Sequence, residues 1–134
     1  MKFREYLLKS KIDYVGYLKR IEENGGDQDL LDWYIQQLDK ANKGNYTVYR
    51  GIYAKDKNKI NKNKLGTHWC LDKNIPIGNI EGEKKEGDSL FILKAKSVPN
   101  SVDKIQSLDN FTQIPDENEI NFNIQPTLIG ISEK

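Results

Sequence analysis

The spacing of the apolar residues changes near residue 45, and this change limits the folds that the chain can adopt. Before it, apolar residues recur at steps of three and four, which predicts two amphipathic helices. After it, short segments rich in Val, Ile, Thr and Tyr are separated by Gly, Pro and Asn, which is typical of strands joined by turns. Helices followed by strands predict an α+β fold with mainly antiparallel pairing.

The two predicted helices have clear ends. The first ends at Glu23-Asn24-Gly25-Gly26, because glycines readily adopt the left-handed cap conformation. The second begins after Asp27, a plausible N-cap, and ends near Lys43-Gly44. The stripe of the first helix is Phe3, Leu7, Ser10, Tyr14, Leu18 and Ile21. The stripe of the second is Leu31, Tyr34, Ile35 and Leu38.

The second part of the chain contains five strand candidates. They are Thr47–Tyr53, Leu65–Leu71, Ser89–Val98, Glu117–Ile124 and Thr127–Glu133. The continuous apolar run Leu90–Leu93 suits a central strand. In the fourth candidate, alternation places Ile120, Phe122 and Ile124 on one face. Residues 101–111, SVDKIQSLDNF, cannot be assigned firmly to a helix or a strand. We expect the strands to be joined by turns rather than helices.

Composition excludes several classes of protein. The chain has 134 residues, which suits one domain spanning 1–134, and its 21 basic and 20 acidic residues leave a net charge of +1. That balance does not favour a general nucleic-acid or membrane binder. The single Cys allows no internal disulfide, and no segment approaches the roughly 20 apolar residues of a membrane span. We therefore expect a cytoplasmic protein without a signal peptide.

Arg50 lies in the middle of the first strand candidate, TVYRGIY. The two-residue period places it on the same face as Val48 and Ile52. A buried charge without compensation is costly, so an inward-facing Arg either pairs with a carboxylate or binds an anionic ligand. The pattern alone leaves both alternatives open.

Glu117 and Glu119 form the second group of interest. At positions i and i+2 of a strand they would project from the same face, with Cβ atoms about 7 Å apart. They either belong to a solvated sheet face or form a carboxylate pair in a cleft, one stabilising positive charge and the other handling a proton.

His68 and Cys70, the only residues of their kinds, lie two positions apart on a strand candidate. This spacing does not suit a nucleophile and its base, and it does not suggest a zinc site. Trp69 between them is more typical of a core than of a ligand platform. The lysine-rich loop Lys55–Lys64 is either a solvated loop or a phosphate-attracting one. We expect no metal.

Three motifs occur in a meaningful order: Tyr49-Arg50-Gly51, then Gly66-Thr67-His68-Trp69-Cys70, then Glu117-Asn118-Glu119-Ile120. This order resembles the arginine–serine–glutamate class of ADP-ribosyltransferases, the clostridial-toxin-like group that includes phage-encoded enzymes. The resemblance spans the chain from Tyr46 onward. It implies a helical prelude over 1–44 and a two-sheet core over 45–134 around a cleft for NAD, the substrate.

The resemblance also implies what individual residues do. Arg50 would hold the NAD pyrophosphate and the nicotinamide ribose region, and the backbone of Gly51 would reach the nicotinamide carboxamide. Glu119 would be the catalytic glutamate that binds the ribose 2′-hydroxyl. Glu117 would position and deprotonate the acceptor. The acceptor would be a macromolecule, and a protein arginine is favoured over nucleic acid. On this interpretation the strand face of Arg50 lines the cleft that both glutamates border.

The chain departs from the family pattern at one strand. Cys70 stands where a Ser usually ends the motif, and a thiol is the weaker hydrogen-bond donor. His68 is a candidate for supporting Glu119 or contacting the adenosine side of NAD, and Trp69 for contacting nicotinamide. Two other functions stay open: an NAD glycohydrolase on the same scaffold, and a non-catalytic α+β binding module.

Overall fold

The computed structural model describes residues 13–74 and 80–134, and these residues form an α+β fold. The helices of this part are α1 (Tyr14–Glu23), α2 (Gln28–Asn42) and α3 (Lys104–Gln113). The predicted stripe positions Phe3, Leu7 and Ser10 lie outside the described residues. No helix in the described part of the chain is long and apolar enough to cross a membrane.

The described strands belong to one sheet. They are β1 (Thr47–Ala54), β2 (His68–Cys70), β3 (Ile80–Glu81), β4 (Ser89–Lys96), β5 (Glu119–Asn121) and β6 (Thr127–Glu133). The strand order is β5-β2-β1-β4-β6 with antiparallel neighbours. The short β3 pairs with β1 in parallel.

The first two helices follow the sequence analysis closely. Asp13 and Asp27 cap α1 and α2 by accepting hydrogen bonds from the backbone N–H groups of Gly16 and Leu30. The α2 stripe is buried as predicted: Leu31, Tyr34, Ile35 and Leu38. The helices therefore contribute one apolar face each to the core, which is the expected arrangement for amphipathic helices.

Strand β4 lies inside the sheet, between β1 and β6, as its apolar run predicts. Val48 of β1 faces Ala95 of β4, and Arg50 faces Leu93. Val48, Leu93 and Ala95 are fully buried, so this face of the sheet packs against the helices in the core. Strand β4 is the long central element on which β1 is aligned.

Strand β1 joins β2 through a single residue pair, Tyr49 with Cys70. The reason lies in the edges of β1. One edge is paired with β4 over the whole strand, so β2 and β3 share the other edge, with β3 opposite Gly51 and Ile52. The predicted strand Leu65–Leu71 is therefore shorter than expected, and the β5-β2 half of the sheet is only narrowly attached to the rest.

Helix α3 corrects the expectation that turns alone join the strands. It connects β4 to β5, and Asp103 caps it by accepting a hydrogen bond from the N–H of Gln106 at 3.0 Å. Leu108 and Phe111 are its buried apolar residues. The helix is short and half polar, which is why its segment carried no firm prediction.

The strand predicted over Glu117–Ile124 is also shorter than expected. Glu117 belongs to a 3₁₀ turn, Pro115–Glu117, and β5 begins only at Glu119. Ile120 and Phe122 are buried as predicted, but Ile124 is 52% exposed. The alternation therefore holds from Glu119 to Phe122 and fails at both ends of the segment.

Tyr34 connects α2, α3 and β5. Its ring stacks on Phe111 of α3 with the ring centroids 3.7 Å apart. Its hydroxyl lies 2.5 Å from the carbonyl oxygen of Glu119 and 3.1 Å from that of Ser107, and both oxygens are acceptors. Burial raises the pKa of Tyr34, so the phenol stays protonated and donates. Tyr34 therefore fixes the backbone position at which the Glu119 side chain starts.

We predict that Tyr34→Phe lowers the free energy of unfolding by about 1–3 kcal/mol, because it leaves buried carbonyl groups without their donor. The measurement is urea denaturation of the variant and of the parent chain. The control is Tyr53→Phe, at a partly exposed position on β1. Equal stability of the two variants would contradict this account of Tyr34.

Candidate active site

Amide donors orient the carboxylate of Glu119 at the start of β5. Asn110 on α3 donates from Nδ2 to Glu119 Oε2 at 2.7 Å, and Asn121 Nδ2 lies 3.5 Å from the same oxygen. Gln106 donates to Asn110 Oδ1 at 3.1 Å, which fixes the direction of the Asn110 amide. The Glu119 side chain is 18% exposed. The carboxylate is thus oriented by the protein and still reached by solvent.

His68 borders the same carboxylate on its other oxygen. His68 Nδ1 lies 3.6 Å from Glu119 Oε1, and the His68 side chain is 56% exposed. The two residues form an ion pair when His68 is protonated. Since the amides hold Oε2, the exposed side of this small cluster is the side of Oε1 and His68.

The strand register places Tyr49, Cys70 and Glu119 in one row across the sheet. Directly opposed residues of antiparallel strands share a face, so the three side chains leave the sheet on the same side. Cys70 is buried, and its thiol lies 3.7 Å from the carbonyl oxygen of Glu117. The thiol therefore links β2 to the turn that precedes Glu119.

The guanidinium of Arg50 crosses from β1 to β2. It donates from Nη1 to the carbonyl oxygen of His68, and the whole residue is only 8% exposed. Gly66 packs against the guanidinium: a Cβ built on this glycine would lie 3.2–3.3 Å from Nη1, Cζ and Nη2. The φ angle of Gly66 is +86°, which L side chains rarely adopt. Glycine thus serves both the backbone turn and the close approach of Arg50.

Arg50 shares a buried face with Val48 as predicted, but Glu119 does not border that face, which corrects the expectation of a common cleft face. Arg50 leaves the sheet on the core face, which also carries Trp69 and Ile120, whereas Glu119 lies on the opposite face. The reason is the register, because Tyr49 rather than Arg50 aligns with Cys70 and Glu119. Only the guanidinium, at the end of the long Arg50 side chain, comes near Cys70 and Glu119.

Arg50 still interacts electrostatically with Cys70 and Glu119. Burial lowers the pKa of Arg50, and the neighbouring Cys70 and Glu119 act in the opposite direction. The guanidinium stays charged, as arginine does in proteins. A cation fixed beneath the surface therefore lies within the electrostatic field of the Glu119 carboxylate.

Glu117 is near Glu119 but not on its strand, which corrects the prediction of two carboxylates at i and i+2 of one strand. Asn118 between them has a left-handed backbone with φ 49°, and its carbonyl accepts a hydrogen bond from Leu71 N–H at 3.0 Å. Burial raises the pKa of Glu117, and the charge of Glu119 raises it further. The two carboxylates thus interact across a turn.

Two other predicted residues are buried. Trp69 is 1% exposed and donates from Nε1 to the carbonyl oxygen of Gly66 at 3.0 Å, so neither face of its ring is open to a ligand. Gly51 is buried on β1 between Ile80 of β3 and Ile92 of β4. Both residues therefore shape the backbone around Arg50.

Sequence reasoning missed the residues that orient the site. Asn110 and Gln106 lie on the helix that carried no prediction, and Asn121, which is 2% exposed, was not among the predicted site residues. One signal was present for the helix: Asp103 precedes Ile105 and Leu108, a capping residue before an apolar repeat. No spacing rule links Asn110 to Glu119, because their contact is made by the fold.

Comparisons with protein-family models, with curated proteins and with solved structures found no match to this chain. Among residues 13–74 and 80–134, no group of three or more His, Cys, Asp or Glu side chains is arranged to hold a metal ion.

We predict that Gly66→Ala destabilises the chain more than Gly25→Ala, by about 1–3 kcal/mol, because only the first substitution also crowds a packed group. Gly25 is a matched control: its φ is +91°, and a Cβ there meets nothing within 4 Å. The measurement is the free energy of unfolding of both variants. Equal losses would show that Gly66 serves only the turn.

Proposed function

We propose that this chain is an NAD-dependent mono-ADP-ribosyltransferase, which transfers ADP-ribose to a macromolecular acceptor and releases nicotinamide. The favoured acceptor group is a protein arginine. The observation that carries the proposal is the Glu119 carboxylate, which Asn110 orients beside His68 and within the field of the Arg50 guanidinium. The order of the three motifs along the chain is the second support.

Glu119 is the catalytic residue of this proposal. Positive charge develops on the ribose as nicotinamide leaves, and a carboxylate that is already oriented stabilises such charge without reorganising. Asn110 holds Oε2, so Oε1 on the side of His68 is the oxygen assigned to the ribose 2′-hydroxyl. His68 would contact the ribose or the adenosine side of the dinucleotide, where it is exposed.

Arg50 supplies positive potential for the pyrophosphate. Its 8% exposure leaves little surface for direct contact, so most of its contribution is its field and its hold on the His68 carbonyl. Gly51 lies between two paired strands, so its part in the proposal is to shape the backbone next to Arg50 and not to touch nicotinamide. Trp69 and Cys70 would support the wall of the site from within.

Glu117 is assigned to the acceptor. Its raised pKa makes it a better proton acceptor at neutral pH than an ordinary carboxylate, which suits a general base. It would position the incoming nucleophile and take its proton while the ribose carbon is attacked. The turn at Asn118 separates this task from that of Glu119.

The finer architecture, a two-sheet core around an NAD cleft, belongs to this proposal. Its support is the single residue pair that joins β1 to β2, because strands attached so narrowly can diverge into two smaller sheets. One would be β1-β4-β6 with Arg50 and the other β5-β2 with Glu119. Such an enzyme would work in the cytoplasm, where NAD is available. If a phage encodes the enzyme, this would be the cytoplasm of the host.

We predict that Glu119→Gln lowers nicotinamide release from NAD by about 100- to 1,000-fold, because the neutral amide does not stabilise the developing positive charge. The measurement is chromatographic detection of nicotinamide, with circular dichroism to verify folding. The matched control is Asp116→Asn, an exposed acidic residue of the preceding turn. No release by the parent chain would overturn the proposed function in favour of a binding module.

We predict that Glu117→Gln separates transfer from cleavage. Labelling of macromolecules in a cell lysate with radiolabelled NAD should fall about 100-fold, since the acceptor loses its general base. Nicotinamide release in the absence of lysate should fall less than tenfold. If the parent chain releases nicotinamide but labels nothing, the function is that of an NAD glycohydrolase.

A further inference from the structure

A pocket of about 440 Å³ opens beside Asn118, the residue between Glu117 and Glu119. One wall is aromatic and consists of Trp33 from α2, Tyr46 immediately before β1 and Tyr49 within β1. The opposite wall comes from the segment after β2 and from Asn118. Trp33 is 41% exposed, which is a large exposed aromatic surface next to a candidate active site.

The aromatic wall is held in place by its own contacts. Tyr46 donates from its hydroxyl to Gln37 Oε1 at 2.8 Å, and the N–H of Tyr46 donates to Ser97 Oγ at 3.1 Å. Gln37 is buried, at 8% exposure. A rigid aromatic surface binds flat groups at low entropic cost, because its side chains have few rotatable bonds.

Two residues that line the pocket, Tyr49 and Asn118, relate it to the carboxylates. Tyr49 lies in the same cross-strand row as Cys70 and Glu119. Two strand spacings separate Tyr49 from Glu119, so their backbones lie about 10 Å apart. Asn118, which lines the pocket, is the residue between Glu117 and Glu119. A group bound on the aromatic wall therefore lies beside the segment 117–119, which carries both glutamates.

The charges around the pocket favour a cation. The lining includes Asp72 and Lys73, both exposed, whose charges oppose each other, and Glu117, which precedes the lining residue Asn118, adds negative charge nearby. The faces of Trp and Tyr rings also attract cations. A nucleobase would stack on the same rings but would gain nothing from the carboxylates. A planar cation satisfies both features, and guanidinium is the planar cation of proteins.

We propose that this pocket, walled by Trp33, Tyr46 and Tyr49, binds the guanidinium group of the acceptor. The inference rests on the proposed function, which it deepens by assigning the acceptor a place. In this arrangement the guanidinium stacks on the aromatic wall, and Glu117 removes its proton as a nitrogen atom attacks the ribose carbon. The bond to nicotinamide breaks, and nicotinamide leaves with the bonding electron pair.

The experiment uses agmatine, a small guanidine, as the acceptor. Trp33→Ala should raise the KM for agmatine about tenfold, with at most a twofold change in the KM for NAD, and Trp33→Phe should restore most of the loss. Asp72→Asn should raise the KM for agmatine, whereas Lys73→Ala should lower it. The control is Ile105→Ala, an exposed apolar residue on α3. A rise in the KM for NAD instead would place the dinucleotide in the pocket and overturn the inference.

A binding measurement tests the pocket without turnover. Agmatine should change the tryptophan fluorescence of the full chain, and the change should be lost in Trp33→Phe with Trp69 still present. N-carbamoylputrescine, a neutral analogue of similar shape, should bind at least tenfold more weakly. Equal binding of the two would overturn the guanidinium assignment. Failure of the parent chain to release nicotinamide would count against the proposed function and leave this binding result to decide the pocket.

Discussion

Arg50 carries a permanent charge onto the core face of the sheet, and the surrounding chain has to compensate it. A buried cation without partners would cost several kcal/mol. Here the guanidinium donates to the His68 carbonyl, packs on Gly66 and lies in the field of Glu119. The hydrogen bond to His68 connects β1 with β2. The electrostatic interaction with Glu119 connects β1 with β5. The positions of the candidate catalytic groups depend on this connection.

The narrow attachment of β2 explains why such a connection is needed. With one residue pair to β1, the β5-β2 half of the sheet gains little from backbone hydrogen bonds to its neighbour. Side-chain hydrogen bonds supply the remainder. Arg50 reaches β2 from β1, and Tyr34 of α2 and Asn110 of α3 reach β5. A carboxylate oriented by rigid helices and strands is better prepared for chemistry than one on a free loop.

The sequence predicted what local patterns determine. The bounds of α2, β1 and β6 follow from caps, glycines and apolar periods, and the central place of β4 follows from its apolar run. The site was harder to predict because it depends on register and on one backbone angle. The left-handed Asn118 moves Glu117 out of the strand, and no alternation pattern reveals such a turn.

The position of Arg50 relative to the glutamates was also hard to predict, because it depends on strand register. Alternation correctly grouped Arg50 with Val48, but which face of the sheet borders the glutamates was set by the pairing of Tyr49 with Cys70. Pairing between segments that are about 20 residues apart is a property of the fold. The helix that supplies Asn110 was missed because a short, half-polar helix leaves a weak periodic signal.

The most direct measurement is a crystal structure of the Glu119→Gln variant with NAD, since that variant should bind the dinucleotide without cleaving it. The account predicts that the nicotinamide ribose contacts residue 119 and that the pyrophosphate lies on the side of Arg50. NAD bound with its ribose away from residue 119, or crystals grown at saturating NAD without bound dinucleotide, would contradict it.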